Sequence, residues 1–146
     1  MSGQTYLTIK AVHFLGFTMW VGAMIALALA LRARGAAEGA AKGAFEGLER
    51  VLARAMELGA LLAIACGVLM IVKAPEGMSP MKQPYLHIKL TIVVVILAMH
   101  GLVRMSMGKM RKGTGGPPGV AVPWLLLLAA AAIFYLAVVK PMYRAG

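Results

Sequence analysis

The sequence contains no aspartate, no asparagine, a single cysteine, and only five acidic residues in 146. With Cys66 alone, neither an internal disulfide nor a thiolate metal cluster can form. In its apolar run that thiol reads as a small packing residue. Charged residues make up 14% of the chain, against roughly a quarter in a soluble domain. So few charges would not clothe a water-soluble surface of this size. There is no Gly-rich phosphate loop and no Ser-His-acid set, which leaves hydrolase and kinase readings without a basis. There is no Cys-x-x-Cys-His either, which excludes the usual covalent attachment of haem.

What is present is apolar and basic. Hydrophobic residues make up 61%, the mean hydropathy is +0.82, and fifteen Lys and Arg give a formal net charge of +10. The basic residues flank apolar runs and do not form a stripe on a polar face. That pattern speaks against nucleic acid and for contact with anionic lipid and topology selection.

Four apolar runs predict an all-α fold: an integral membrane four-helix bundle in up-down-up-down order, one domain over residues 1–146. The expected spans are about 6–32, 45–73, 85–108 and 120–140. The first has an uncharged centre, Ala11 to Leu31, and closes at Arg32 and Arg34. It lacks the basic start of a signal peptide and reads as a retained span. Gly35 to Gly43 reads as a loop or frayed helix end. The second helix opens near Phe45, where Glu46 and Arg50, and Arg54 and Glu57, have spacings that pair on one helix face. Pro75, Gly77, Pro80 and Pro84 mark a rigid loop, and Lys109 to Gly119 a basic Gly/Pro linker.

The end holding the first and third loops carries Arg32, Arg34, Lys42, Arg50, Arg54, Arg104, Lys109, Arg111 and Lys112, which is nine basic residues. The other end carries Lys10, Lys73, Lys82, Lys89, Lys140 and Arg144, which is six. The excess predicts those two loops in the cytoplasm and both termini outside.

All three histidines, His13, His87 and His100, lie on predicted spans. Ionisable groups at membrane depth are costly and mark function, although a membrane histidine is also a common packing hydrogen-bonder between helices. Trp20 follows His13 by seven residues and shares its face; His100 follows Lys89 by eleven and shares that one, with Arg104 a turn on. His13 and His87 are each a few residues from the same membrane side, an arrangement open to axial ligation of haem iron. Lys89 or Arg104 could hold a propionate. Zinc lacks a pair of histidines on one helix face. Met105, Met107 and Met110 form a thioether cluster that suits Cu(I), or fill a helix end as flexible apolar residues.

Several stretches resemble the HemJ-type protoporphyrinogen oxidases, a neighbourhood that includes the CopD copper-resistance membrane domains. These are Ile9-Lys10-Ala11-Val12-His13 with Trp20, Phe45 to Arg54 with Leu48-Glu49-Arg50, Tyr85 to Leu90 with His87 and Lys89, Met99-His100-Gly101, and Val138-Val139-Lys140-Pro141. The set is in order and covers most of the chain. Leu27 to Leu31, Val120 and Ala121 depart from it and mark a divergent member. The resemblance implies a multi-pass protein of the bacterial inner membrane with haem b, oxidising protoporphyrinogen IX and passing electrons to a membrane acceptor. It implies His13, Trp20 and Lys89 as catalytic residues. His13 and His87 are then the candidate iron ligands, with His100, Lys89 and Arg104 also binding cofactor. The alternatives are a haem electron-transfer protein without enzyme activity and a CopD-like copper handler. The expected partners are the lipid bilayer, a porphyrin-like or quinone-like small molecule, and a second copy in a homodimer.

Overall fold

A computed structural model describes residues 2–73 and 84–139. The expected proline loop at Pro75, Gly77 and Pro80 and the closing Lys140-Pro141 lie outside the described residues. Those described form four helices and no strand: α1 (Gly3–Gly35), α2 (Gly39–Val72), α3 (Pro84–Arg111) and α4 (Ala121–Val139). Three of them, α1 to α3, are long and apolar enough to cross a membrane, with mean hydropathies of 2.1 to 2.3 over their most apolar stretches. The fourth is shorter.

α2 begins at Gly39, six residues before the expected start at Phe45. Ala40, Ala41 and Ala44 are strong helix formers with no proline among them, so from Gly39 on the stretch expected as a loop or frayed helix end belongs to the helix. The turn from α1 shrinks to Ala36-Ala37-Glu38, and Gly39 at φ 56° makes it, a conformation side chains resist. α3 ends in a Schellman motif. Gly113 sits at φ 69°, with Gly113 N–H on the Met110 carbonyl at 3.2 Å and Thr114 N–H on the Lys109 carbonyl at 2.9 Å. Pro123 lies in the first turn of α4, where its missing N–H costs nothing.

α1 is the centre of the fold. It packs against each of the other three helices, α2 most extensively, and α3 also meets α4. Of the most apolar stretch of each helix, 56% is buried in α1 but only 22% in α2 and 17% in α3. The core gathers Trp20, Met24, Leu27 and Leu31 of α1 against Met56, Ile96, Leu126 and Ile133.

Small residues set the α1–α2 approach. A Cβ on Gly16 would stand 2.7 Å from the Ala63 nitrogen, and one on Gly59 would stand 2.8 Å from the Trp20 Cα. Gly59, Ala63 and Gly67 recur every fourth residue and form the flat stripe that lets two helix backbones touch.

The acidic residues of α2 pair across helices. Glu49, fully buried, accepts from Arg34 Nη1 at 2.8 Å; Glu46 lies 3.5 Å from Arg34 Nη2; Glu57 meets Arg104 at 3.0 Å. The sequence spacings had suggested partners within α2, Glu46 with Arg50 and Arg54 with Glu57. The cross-helix contact is available because Arg34 ends α1 directly beside the opening turns of α2, and Arg50 instead donates to the Glu46 backbone carbonyl at 3.3 Å.

Candidate functional site

The first half of α1 presents Lys10, His13, Phe17 and Trp20 at helical spacing, so one face carries a cation, an imidazole and two aromatic rings. This face forms the floor of a cleft of about 210 Å³. α2 supplies one wall through Ala63, Ile64, Gly67 and Val68; α3 supplies the other through Leu86, Lys89, Leu90 and Val93. α2 and α3 pack mainly on α1 and on α4 respectively and meet each other through the Glu57–Arg104 ion pair.

His13 is locked at both nitrogens. Nδ1 lies 2.7 Å from the Ala63 carbonyl, which can only accept, so Nδ1 carries the proton. Nε2 then offers its lone pair, and Lys89 Nζ donates to it across 3.3 Å. Gly67 makes the geometry possible: a Cβ there would come within 3.2 Å of His13 Cε1. The Lys89 ammonium also stands 5.9 Å over the Phe14 ring, a cation–π distance. Phe14 and Phe17 in turn pack on Phe134 of α4, with ring centroids 6.2 and 5.8 Å apart.

Trp20 closes one end of the cleft. It is 1% exposed, and its Nε1–H donates to His100 Nδ1 at 3.0 Å. His100 therefore stands behind the wall and does not line the cleft.

His13, Trp20 and Lys89 thus meet in one cleft. His87, expected opposite His13, is exposed and does not line it. Residues two apart on a helix point to nearly opposite sides, so with Lys89 inward His87 faces away. Arg104 pairs with Glu57 and is also absent from the lining. Met105 is 55% exposed and Met107 4%, so the expected thioether cluster splits across α3 for the same reason. Among the described residues, no group of three or more His, Cys, Asp or Glu could hold a metal ion.

Lys10 and Gly67 were not anticipated. Lys10 was legible, because it precedes His13 by three residues on the same face; Gly67 was not, because its role is the space it leaves for a ring on another helix.

A metal-ligating histidine characteristically donates its other ring N–H to a carbonyl; His13 Nδ1 meets the Ala63 carbonyl in that way, while Nε2 is held by Lys89. Comparison with protein-family models, with curated proteins and with solved structures finds no match to this chain.

Proposed function

We propose that this chain is an integral membrane protein whose cleft at His13, Trp20 and Lys89 binds a flat, hydrophobic, carboxylate-bearing macrocycle, in the manner of the HemJ-type protoporphyrinogen oxidases it resembles. The observation that carries the reading is Lys89 Nζ at 3.3 Å from His13 Nε2 inside a cleft whose other walls are mainly aliphatic and aromatic.

Insertion in a bilayer is supported by the outward faces of α2 and α3. Leu58, Leu61, Val72, Val94 and Val95 are each more than half exposed. Contiguous apolar surface of this kind is an aggregation hazard in water and ordinary in lipid. α4, at 19 residues, is about 28 Å long, close to the roughly 30 Å of a hydrocarbon core, and supplies a fourth span. Contacts from α1 run in opposite order to α2, as His13 to Ala63 and Arg34 to Glu49, and in the same order to α3, as His13 to Lys89 and Trp20 to His100. That register supports an up-down-up-down bundle; placing it in a bacterial inner membrane rests on the family resemblance, and placing the first and third loops in the cytoplasm rests on their basic excess.

In the cleft, His13 Nε2 would hold the iron of haem b once Lys89 has left it. Haem bound there would supply one-electron transfer. Lys89 leaves its place on Nε2 and neutralises a carboxylate of the macrocycle, while Trp20 and Phe17 pack against its apolar edge. The helices exclude water, so the charge pairs there are weakly screened. The reaction is the six-electron, six-proton oxidation of protoporphyrinogen IX to protoporphyrin IX, with the electrons and protons taken up by three quinone-like acceptors of the bilayer, each reduced to its quinol.

The test is a visible spectrum with a pyridine haemochrome assay on purified protein, followed by rescue of a bacterial strain lacking protoporphyrinogen oxidase. Wild type should show haem b and rescue; His13→Ala should lose most of the Soret absorbance. Protein that is membrane-inserted and haem-loaded yet gives neither rescue nor porphyrin fluorescence is an electron carrier and not an oxidase.

A further inference from the structure

We infer that the seam between α2 and α3, in its half nearer the basic first and third loops, binds an anionic phospholipid whose phosphate is held by Arg50, Arg54 and Arg111. The inference rests on the reading of the chain as a bilayer-spanning protein and is independent of what the His13 cleft binds.

Four acidic side chains lie among the described residues: Glu38, Glu46, Glu49 and Glu57. Glu46 and Glu49 are both taken by Arg34, and Glu57 is taken by Arg104. Glu38 caps the start of α2, three turns of helix before Arg50. Arg50, Arg54 and Arg111 are exposed, and among the described residues none of them forms an ion pair. Arg50 gives its Nε–H to the Glu46 backbone carbonyl at 3.3 Å and keeps its two terminal nitrogens for another partner.

Helix geometry brings these three arginines together. Contacts from α1 run in opposite order along α2 and in the same order along α3, so α2 and α3 are antiparallel, and they meet at Glu57 and Arg104. In an antiparallel pair, residues equally far from the meeting point lie at one level. Arg50 comes seven residues before Glu57, and Arg111 comes seven after Arg104. Seven residues are close to two turns, so each arginine lies about 10.5 Å from the ion pair, on the same face as its member of that pair. Arg54 comes three residues before Glu57 and shares that face. Guanidinium groups from two helices therefore border one seam at the end where the basic loops lie.

The other direction along the seam is apolar. Leu61 and Ile64 follow Glu57 by four and seven residues, Leu97 precedes Arg104 by seven, and all three are exposed. The seam thus offers cations near the membrane surface and aliphatic side chains towards the bilayer centre. A phospholipid presents phosphate and acyl chains in that order. The planar fork of arginine matches a phosphate with two parallel hydrogen bonds, and basic pockets between spanning helices on the cytoplasmic side are where anionic headgroups bind. A zwitterionic lipid would bring a further cation to a place that already holds three. Free phosphate would leave the aliphatic part of the seam unused.

The experiment is native mass spectrometry of the full-length protein released from detergent, titrated with phosphatidylglycerol, with phosphatidylcholine, and with glycerol phosphate, which has the phosphate but no chains. Wild type should retain one phosphatidylglycerol roughly tenfold more tightly than phosphatidylcholine and should not retain glycerol phosphate. Arg50→Gln and Arg111→Gln should each weaken phosphatidylglycerol by about that factor and leave phosphatidylcholine unchanged. Arg111→Lys, which keeps the charge and loses the fork, should fall between wild type and Arg111→Gln. Lys109→Gln is the control. It removes the same charge at nearly the same depth, but two residues from Arg111 a side chain points away from the seam, so this variant should bind as wild type does. The inference is overturned if Lys109→Gln weakens phosphatidylglycerol as much as Arg111→Gln, which would make the effect one of diffuse surface charge. It is also overturned if both arginine-to-glutamine variants bind as wild type, or if glycerol phosphate is retained as tightly as the lipid. Protein that fails to insert into liposomes loses the bilayer reading together with this one. Protein that inserts and binds haem but shows no preference for phosphatidylglycerol loses this inference alone.

Discussion

The indole N–H of Trp20 donates to Nδ1 of His100 across 3.0 Å, so the cleft wall on α1 is held in place from α3. His100 thus acts behind the cleft and fixes the ring that faces into it. Leaving a buried donor unsatisfied costs about 1–3 kcal/mol. His100→Ala should destabilise the protein by that amount in detergent unfolding, whereas His100→Gln, which keeps an acceptor, should recover most of it. In a Trp124→Phe background, Trp20 emission should shift in the alanine variant and return towards wild type in the glutamine one. Equal stability of the two variants would remove the hydrogen bond from the account.

The two glycines of the α1–α2 seam should behave differently. A Cβ on Gly59 meets the Trp20 backbone, which has no room to move, so Gly59→Ala should separate the helices and cost about 1–3 kcal/mol or more. A Cβ on Gly67 meets only the edge of the His13 ring at 3.2 Å. Gly67→Ala should leave the unfolding midpoint nearly unchanged and tilt the imidazole away from Lys89. Its signature is weakened haem or porphyrin binding in an intact fold, read by absorbance and circular dichroism together.

Arg34 and Glu49 form a buried ion pair, 5% and 0% exposed, that ties the end of α1 to α2, and Arg34 Nη2 also reaches the Met110 carbonyl at 3.4 Å. Removing Arg34 leaves the Glu49 carboxylate buried alone, a loss of about 3–5 kcal/mol. Arg34→Met should therefore be strongly destabilising, and Arg34→Met combined with Glu49→Leu should recover much of the stability. Additive losses in the double variant would show that the two side chains are not coupled.

Orientation is checked with a reporter active only in the cytoplasm. Fused after Gly146 it should be silent; inserted in the Gly/Pro linker at Gly115 it should be active. Reversed activities would invert the bundle while leaving the cleft chemistry as described.

Much of this protein is written locally. The four apolar runs specify four helices because a run of about twenty apolar residues can satisfy all its backbone groups within itself only as helix. The facing of His13 with Trp20 follows from their spacing on one helix, and so would that of Lys10. The start of α2 was ambiguous because glycine among alanines signals a turn and a helix alike; the alanines favour the helix, and the packing of Glu46 and Glu49 on Arg34 anchors its opening turns. What lay beyond the sequence is every relation between helices. Whether His87 or Lys89 faces His13 depends on the rotation of α3 about its axis, and the two differ by only two residues. Whether His100 lines the cleft or braces it depends on where Trp20 points. The close α1–α2 contact depends on Gly16, Gly59 and Gly67 falling opposite specific atoms of a neighbour. Helical periodicity fixes which residues share a face; it carries no information about which face meets which, because that is set by the sum of many weak packing contacts over the whole bundle.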